Sequence, residues 1–292
     1  MKSRQERLSQ AASRIQAANR ILLACHVRPD ADALGSLLGL AQGLQGLGKE
    51  VQAVSPDGVP ELYRFLPGWE QVRTTAEGAF DLAIGLDADG SDRLGTAEAV
   101  VLAAPVVIDL DHHTGPDPFG DVRLVDSTAA ASGELVYHLL RELNAPVTRE
   151  IAVCLLAAIL TDTGSFRFTN VTAETYRIAA ALVEAGAHPA PIHEAVYGTR
   201  PFAASRLLGY LLCTLQRAAD GRVVWAGLTQ EDFRRCEVGT DATEGFVDQI
   251  RMVEGAEVAL FFREDPDGQI RVSLRSRGKV NVARVAQEFD GG

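Results

Sequence analysis

The chain has 292 residues, of which 47% are hydrophobic and 23% are charged, and its formal net charge at pH 7 is -11. A length above the roughly 100 to 200 residues of one domain predicts two domains in an ordinary globular protein. The acidic balance excludes a protein that coats long nucleic acid, because nonspecific affinity for the phosphate backbone depends on Lys and Arg.

Nothing in the sequence indicates export or a membrane. The first 20 residues are polar and mixed in charge, with only Leu8, Ala12 and Ile15 at helical spacing, so they lack the apolar core of a signal peptide. The longest apolar run, residues 151–160, is about half a membrane span. The four cysteines form no C-x-x-C pair, which indicates free thiols in a reducing compartment. We therefore predict a cytoplasmic protein with no membrane partner.

Short apolar runs alternate with helical patterns over the first 200 residues. After a first helix, strands are predicted over residues 20–25, 49–54, 80–86 and 105–110, and further helices over residues 32–47, 132–143, 148–160 and 172–185. Ser132 is predicted to cap its helix. Strands that alternate with helices predict an α/β fold, with a parallel sheet and helices on both of its faces.

Three glycines lie four residues apart in the helix predicted over residues 32–47. Gly35, Gly39 and Gly43 therefore share one face of that helix. Such a stripe occurs in membrane helix dimers, but this helix is short and has polar neighbours. We therefore predict that the glycines allow the helix to pack closely on the sheet.

The pattern changes after residue 200. Pro201 opens a helix predicted to run to about Ala219, which we interpret as a linker. Strands over residues 222–228, 257–263 and 269–275, with helices over residues 230–236 and 243–253, then predict a smaller α+β domain. A hairpin turn is predicted at Pro266-Asp267-Gly268. The predicted organisation is a catalytic domain over residues 1–200, a linker over residues 201–219 and a smaller domain over residues 220–292.

Carboxylates and imidazoles follow the ends of several predicted elements. These residues are His26, Asp30, Asp32, Asp87, Asp111, His112 and His113, which follow strands, and Asp162, which ends a helix. Because the carboxyl ends of parallel strands display ligand-binding groups at one edge of the sheet, we expect these side chains to converge. The carboxylates would repel one another without bound cations. A mixed set of nitrogen and oxygen donors suits manganese or a similar divalent ion, and four aspartates balance the charge of two such ions.

The predicted reaction is phosphate ester hydrolysis. Two divalent cations together lower the pKa of a water and stabilise both oxygens of an in-line displacement at phosphorus. His113, beside the predicted ligand His112, is expected to contact the phosphoryl group or to act as an acid. Asp111 and Asp109 are expected to orient the imidazoles. A single Asp-x-Asp is more often a helix cap and a single His-His more often a packing pair, so the prediction depends on all the motifs together.

The motifs resemble those of the DHH phosphoesterase family in their order along the chain. The matching segments are His26-x-x-x-Asp30-x-Asp32, Asp87, Asp111-His112-His113 and Asp162-Thr163-Gly164. The resemblance implies that His26, Asp30 and Asp87 hold one manganese ion, and that Asp32, Asp87, His112 and Asp162 hold the other. Asp87 would then serve both ions and take part in catalysis together with Asp111 and His113.

A second resemblance lies near the end of the chain. Residues 271–278, followed by Val280-Asn281-Val282-Ala283, resemble the DHH-associated C-terminal domain. The resemblance implies that this domain closes over the site and contacts substrate through Arg275 and Ser276. Arg271 and Arg277 are equally well interpreted as substrate contacts or as a solvated strand face. The family's domain usually continues into a glycine-rich run that ends in histidine, so a substrate contact and a final strand are expected to be missing after Asp290-Gly291-Gly292.

Within the family, the chain looks most like short bacterial oligoribonucleases that also act as 3′-phosphoadenosine 5′-phosphate phosphatases. The implied activity is hydrolysis of short oligoribonucleotides or dinucleotides from an end, or conversion of 3′-phosphoadenosine 5′-phosphate to AMP. Cleavage of cyclic di-AMP or of linear pApA stays open as an alternative. A manganese inorganic pyrophosphatase and a nonenzymatic nucleotide sensor are less favoured. The implied partner is short RNA or a nucleotide, and the sequence leaves open whether the chain forms a homodimer.

Overall fold

The structure, a computed structural model, describes residues 3–113, 119–243, 245–289 and 291. The chain divides into two compact units, Met1–Gly198 and Thr199–Gly292. In the described ranges, no helix has the length and apolar character needed to cross a membrane. A substrate contact and a final strand are predicted to be missing after Asp290-Gly291-Gly292. Of these three residues, Asp290 and Gly292 lie outside the described residues.

A five-stranded parallel sheet organises the first unit. Its strands are β1 (Arg20–Cys25), β2 (Glu50–Val54), β3 (Leu82–Leu86), β4 (Val107–Asp111) and β5 (Val122–Val125). They lie in the order β2-β1-β3-β4-β5. The chain moves from β1 to one side of the sheet and then to the other, so β1 and β3 flank the switch point at which open α/β sheets bind ligands. The first four strands confirm the prediction, whereas β5 was not predicted.

Helices cover both faces of this sheet, as predicted. They are α1 (Arg4–Ala17), α2 (Ala31–Gly46), α3 (Glu98–Leu102), α4 (Ser132–Glu142), α5 (Arg149–Asp162), α6 (Ala173–Glu184) and α7 (Pro189–His193). Alternate residues of β1 reach different cores, because successive side chains of a strand point to opposite faces. Ile21 and Leu23 join the large core with α1, α2, α4 and α5, whereas Leu22 and Ala24 join a smaller core that includes Val101 of α3.

The glycines of α2 pack against helices, so the prediction that they pack on the sheet is wrong. A Cβ atom on Gly35 would come within 2.4 Å of the carbonyl oxygen of Cys154 in α5. Gly39 also lies against α5, and Gly43 lies against Leu140 of α4. Nearly every residue of α2 is buried, because the helix packs on the sheet through other side chains and on two helices through its glycines.

The start of α4 also differs from the prediction. Ser132 is the first residue of the helix, and the N-cap position belongs to Ala131, whose methyl group accepts no hydrogen bond. The Ser132 hydroxyl instead donates to a carboxylate of the site described below. Thr148 caps α5 by accepting a hydrogen bond from the amide of Ile151, which is the role the prediction gave to Ser132 in α4.

The second unit is a smaller α+β fold, as predicted. Its elements are α8 (Phe202–Cys213), β6 (Gln216–Ala218), β7 (Val223–Leu228), α9 (Gln230–Cys236), α10 (Phe246–Arg251), β8 (Val258–Glu264), β9 (Ile270–Ser276) and α11 (Val282–Gln287). The strands lie in the order β6-β7-β8-β9. β7 and β8 are parallel, and the two outer pairs are antiparallel. The hairpin predicted at residues 266–268 joins β8 to β9, with Gly268 at a φ of 82°.

The predicted linker helix over residues 201–219 is too long. α8 ends at Cys213, and β6 then pairs with β7 in antiparallel orientation. Leu207 and Leu211 of α8 are fully buried in the core of the second unit. α8 is therefore part of that unit. The helix predicted over residues 243–253 is likewise shorter, since α10 begins only after Gly245, whose φ is 73°.

Candidate metal centre

One group of side chains lies where β1 and β3 end. His26 follows β1 and Asp87 follows β3, and both are buried. His26 Nε2 lies 3.6 Å from Asp87 Oδ2 and 3.9 Å from Asp30 Oδ1. Asp30 is also the N-cap of α2, because its Oδ1 accepts a hydrogen bond of 3.0 Å from the amide of Ala33. The prediction weighed a helix cap against a metal ligand at Asp30, and the geometry is compatible with both roles.

The backbone at this edge fixes the orientation of His26. Its Nδ1 lies 2.8 Å from the carbonyl oxygen of Val27, which accepts a hydrogen bond when Nδ1 carries the proton. Nε2 faces the carboxylates of Asp30 and Asp87, and it is the ring nitrogen through which His26 would bind a metal. Asp87 has a φ of 57°, an uncommon conformation for a residue other than glycine that is typical of functional sites.

A second group surrounds His112. Its Nε2 lies 3.2 Å from Asp162 Oδ2, 3.6 Å from Asp32 Oδ2 and 3.6 Å from Asp87 Oδ1. Asp162 is the last residue of α5, and Asp32 lies in the first turn of α2 and is fully buried. Asp87 therefore contributes one oxygen to each group. Within each of the sets His26-Asp30-Asp87 and Asp32-His112-Asp162, the candidate ligand atoms all lie within 4.8 Å of one another.

His113 and Asp111 form a hydrogen-bonded pair beside these two groups. His113 Nδ1 lies 2.8 Å from Asp111 Oδ1, which also accepts hydrogen bonds from the amides of His112 and His113. His113 is more exposed than His112 and lies 3.7 Å from Asp87 Oδ1. This geometry suits the predicted role of Asp111 as a group that orients an imidazole.

Asp109 does not repeat that arrangement. It is buried, and in the described part of the chain its Oδ1 has no hydrogen-bond partner. Burial, together with repulsion from Asp111, raises the pKa of Asp109 to about 7. The prediction that Asp109 also orients an imidazole finds no supporting contact among the described residues.

The electrostatics of these groups reflect crowded carboxylates. Burial, reinforced by the charges of Asp87 and Asp162, raises the pKa of Asp32 well above its usual value. Burial opposes protonation of His112, but Asp162, Asp32 and Asp87 outweigh it and raise the pKa of His112 to about 10. Burial likewise raises the pKa of Asp87, but the imidazoles of His26, His112 and His113 outweigh it and lower that pKa overall.

These residues fit divalent cations. His112 Nε2 is buried and, although three carboxylates surround it, it forms no hydrogen bond with any described residue. Such a nitrogen among carboxylate oxygens provides the mixed donor set that borderline divalent ions prefer. Burial and repulsion from neighbouring carboxylates raise the pKa of Asp30 and of Asp32, and two divalent cations would offset the charge of the four aspartates in the two groups.

Sequence reasoning missed the donors that hold the carboxylates. Asp32 accepts hydrogen bonds from the Ser36 hydroxyl at 3.0 Å, the Ser132 amide at 2.7 Å and the Gly133 amide at 3.0 Å. The Ser132 hydroxyl donates to Asp87 Oδ1 at 2.8 Å. The available signal was the predicted start of a helix shortly after the His-His motif, since the first amides of a helix bind anions.

Apart from His113, the predicted substrate-binding residues lie on and just after β9 in the second unit. Arg271 donates to Asp265 at 3.2 Å, and Arg277 donates to the carbonyl of Arg251 at 2.8 Å, which suits a structural role for both. Arg275 is exposed, and its Nη1 donates to the carbonyl of Leu274. Ser276 points to the opposite face of the strand from Arg275. Contacts of these residues with substrate stay a prediction.

Known families and proteins match almost the whole chain. The model of the DHH family, N-terminal domain, matches residues 20–159, and that of the DHHA1 domain matches residues 233–292. A Thermus thermophilus protein, "Bifunctional oligoribonuclease and PAP phosphatase NrnA", is 37% identical over 93% of this chain and 81% of its own length. The Listeria monocytogenes protein "Cyclic-di-AMP phosphodiesterase PdeA" is 24% identical over 95% of this chain and 44% of its own length.

Solved structures agree with this assignment. An exopolyphosphatase-related protein from Bacteroides fragilis has a TM-score of 0.92 at 28% identity, covering 99% of this chain and 88% of that one. The exonuclease RecJ bound to manganese shares the fold, with a TM-score of 0.55 at 15% identity over 96% of this chain and 84% of that one. The chain therefore belongs to the DHH family of phosphoesterases, as the motifs from His26 to Gly164 predict, and carries a DHHA1 domain, as residues 271–283 predict.

Proposed function

We propose that this chain is a two-metal phosphoesterase that hydrolyses short oligoribonucleotides and 3′-phosphoadenosine 5′-phosphate. The observation that carries the proposal is the pair of donor groups that share Asp87, one around His26 and one around His112. The Thermus thermophilus relative, named an oligoribonuclease and PAP phosphatase, supports this substrate class.

In this proposal His26, Asp30 and Asp87 hold one cation, and Asp32, Asp87, His112 and Asp162 hold the other. The imidazole and carboxylate donors favour manganese. When bound, the cations would lower the pKa of a water and neutralise charge on the phosphoryl group.

His113 has a separate role in the proposal. Its contact with Asp111 fixes the ring and stabilises the protonated imidazole, and this contact, despite the opposing effect of burial, raises the pKa of His113. A protonated imidazole at the rim of the site can donate a proton to the leaving oxygen or a hydrogen bond to the phosphoryl group. Asp111 would therefore act through His113.

Cleavage of cyclic di-AMP is the second candidate. The similarity to the Listeria monocytogenes phosphodiesterase supports it, although this chain spans less than half of that protein. Both candidates require the same metal centre and differ only in the nucleotide. Rates on cyclic di-AMP and on linear pApA, measured with the same preparation, separate the two candidates.

The test is a manganese-dependent activity screen over dinucleotides, longer RNA, 3′-phosphoadenosine 5′-phosphate, cyclic di-AMP and pyrophosphate. We expect turnover of the dinucleotides and of 3′-phosphoadenosine 5′-phosphate that a chelator abolishes. Asp87→Asn should lose this turnover, whereas Asp92→Asn, at an exposed position of the same unit, should keep it. Full turnover by Asp87→Asn would contradict the mechanism, and faster turnover of pyrophosphate would contradict the substrate class.

A further inference from the structure

Ser132 contacts two of the carboxylates that we assign to the metal centre. It is the first residue of α4 and is fully buried. Its amide donates to Asp32 Oδ2 at 2.7 Å, and its hydroxyl donates to Asp87 Oδ1 at 2.8 Å. Ser132 thus connects Asp32, at the start of α2, with Asp87, which follows β3.

The hydroxyl contact fixes how the Asp87 carboxylate is rotated. Asp87 Oδ2 faces His26 Nε2 at 3.6 Å, and Asp87 Oδ1 faces His112 Nε2 at the same distance. A carboxylate shared by two cations must turn one oxygen toward each donor group. The bond from Ser132 to Oδ1 holds this rotation, because any other orientation would leave a buried hydroxyl without its acceptor.

The amides at the start of α4 fix Asp32 in the same way. The Ser132 amide binds one oxygen of Asp32, and the Gly133 amide binds the other at 3.0 Å. Asp32 and Asp87 both lie within 3.6 Å of His112 Nε2, so the first turn of α4 controls two of the carboxylates beside that nitrogen. Hydrogen bonds from outside the ligand set commonly set the affinity of a metal site.

A helix-capping role does not explain the Ser132 hydroxyl. A capping serine precedes the helix and accepts a hydrogen bond from an amide of the first turn. Ser132 lies inside α4, the N-cap is Ala131, and the hydroxyl donates to a residue 45 positions away in the chain. Because the hydroxyl donates to Asp87, its role is to hold that carboxylate and not to cap α4.

We propose that Ser132 is a positioning residue, which holds Asp87 with one oxygen toward each donor group and so sets the affinity of the cation beside His112. The inference rests on the proposed function, because it assumes that these groups bind two cations.

The test is calorimetric titration of the metal-free chain with manganese, comparing wild type with Ser132→Ala. We expect wild type to bind two ions, and Ser132→Ala to bind one of them about 10 to 100 times more weakly, the usual effect of losing such a supporting hydrogen bond. Ser132→Thr keeps the hydroxyl and should restore the affinity. Dinucleotide turnover of Ser132→Ala should need correspondingly more manganese.

Ser55→Ala is the matched control. Ser55 is also fully buried, but its hydroxyl donates to the carbonyl of Gly58 and not to a ligand. It should change thermal stability without changing manganese affinity. Wild-type manganese affinity in Ser132→Ala, or an equal loss in Ser55→Ala, would overturn the role of Ser132. Failure of wild type to bind manganese would instead overturn the proposed function, and the inference with it.

Discussion

The close contact between α2 and α5 gives a sharp test of how the fold positions the site. α2 begins one residue before Asp32, and α5 ends at Asp162. A Cβ on Gly35 would lie 2.4 Å from the carbonyl oxygen of Cys154 and 3.1 Å from the Cβ of Ala158. The first contact is with backbone, so Gly35→Ala requires the helices to separate.

The size of the effect follows from this distance. Ordinary contact begins at 3.4 Å, so the helices must move apart by about 1 Å. Overpacking of this kind costs about 1 to 3 kcal/mol, and the higher helix propensity of Ala returns up to about 1 kcal/mol. With a cost near the middle of that range, about 2 kcal/mol, we expect a net loss of about 1 to 2 kcal/mol in the free energy of unfolding. For a unit of this size, that lowers the melting temperature by about 5 °C.

Expressed as free energies, the loss of turnover in Gly35→Ala should be larger than the loss of stability. A shift of about 1 Å between Asp32 and Asp162 displaces carboxylates that must meet around His112, and misplacement on this scale costs roughly 100-fold in rate. Differential scanning calorimetry and manganese-dependent dinucleotide turnover measure the two effects.

Gly46→Ala is the matched control for Gly35→Ala. It lies at the end of the same helix, where an added Cβ meets nothing within 4 Å, so it should raise the melting temperature by about 1 to 2 °C and leave turnover unchanged. A Gly35→Ala chain that melts at or above the wild-type temperature, with wild-type turnover, would refute the reasoning.

Three further predictions concern protonation, catalysis and capping. The pKa of His112 is raised from 6.5 to about 10, so the stability that it adds to the metal-free chain is present below pH 6.5 and is lost as the pH rises toward 10. The melting temperature measured by calorimetry should therefore fall over this window, and the increase in melting temperature on adding manganese should grow. An increase in melting temperature that does not change with pH would contradict this. His113→Gln should lower kcat for a dinucleotide about 100-fold or more with both manganese ions retained, and loss of an ion would show that His113 is a ligand. Thr172→Ala removes the acceptor for two amides of α6, and denaturant titration should show a loss of about 1 kcal/mol, with no loss contradicting the capping role.

Four of the five strands of the first unit could be predicted because each is a short apolar run that ends at a polar group. β1 ends directly before His26, and β3 ends directly before Asp87. Parallel order then brought those ends together without any knowledge of side-chain geometry. β5 escaped prediction because it has only four residues and alternates buried and exposed positions at the edge of the sheet.

Other features depend on tertiary contacts that a local pattern does not contain. The helical spacing after Pro201 gave no sign that α8 ends at Cys213, because its end is determined by the pairing of β6 with β7. The glycine stripe showed that Gly35 needs a close neighbour but not that the neighbour is α5. Ser132 looked like a cap because serine at a helix start usually is one, and only the fold places Asp87 within reach of its hydroxyl.

The number of manganese ions bound per chain, measured by elemental analysis after gel filtration, tests the paired-cation centre most directly. We predict two ions for the wild-type chain, and fewer than two, with loss of dinucleotide turnover, for Asp87→Asn. A wild-type chain that binds no more than one ion, or an Asp87→Asn chain that keeps two ions and full turnover, would contradict a centre built around a shared Asp87.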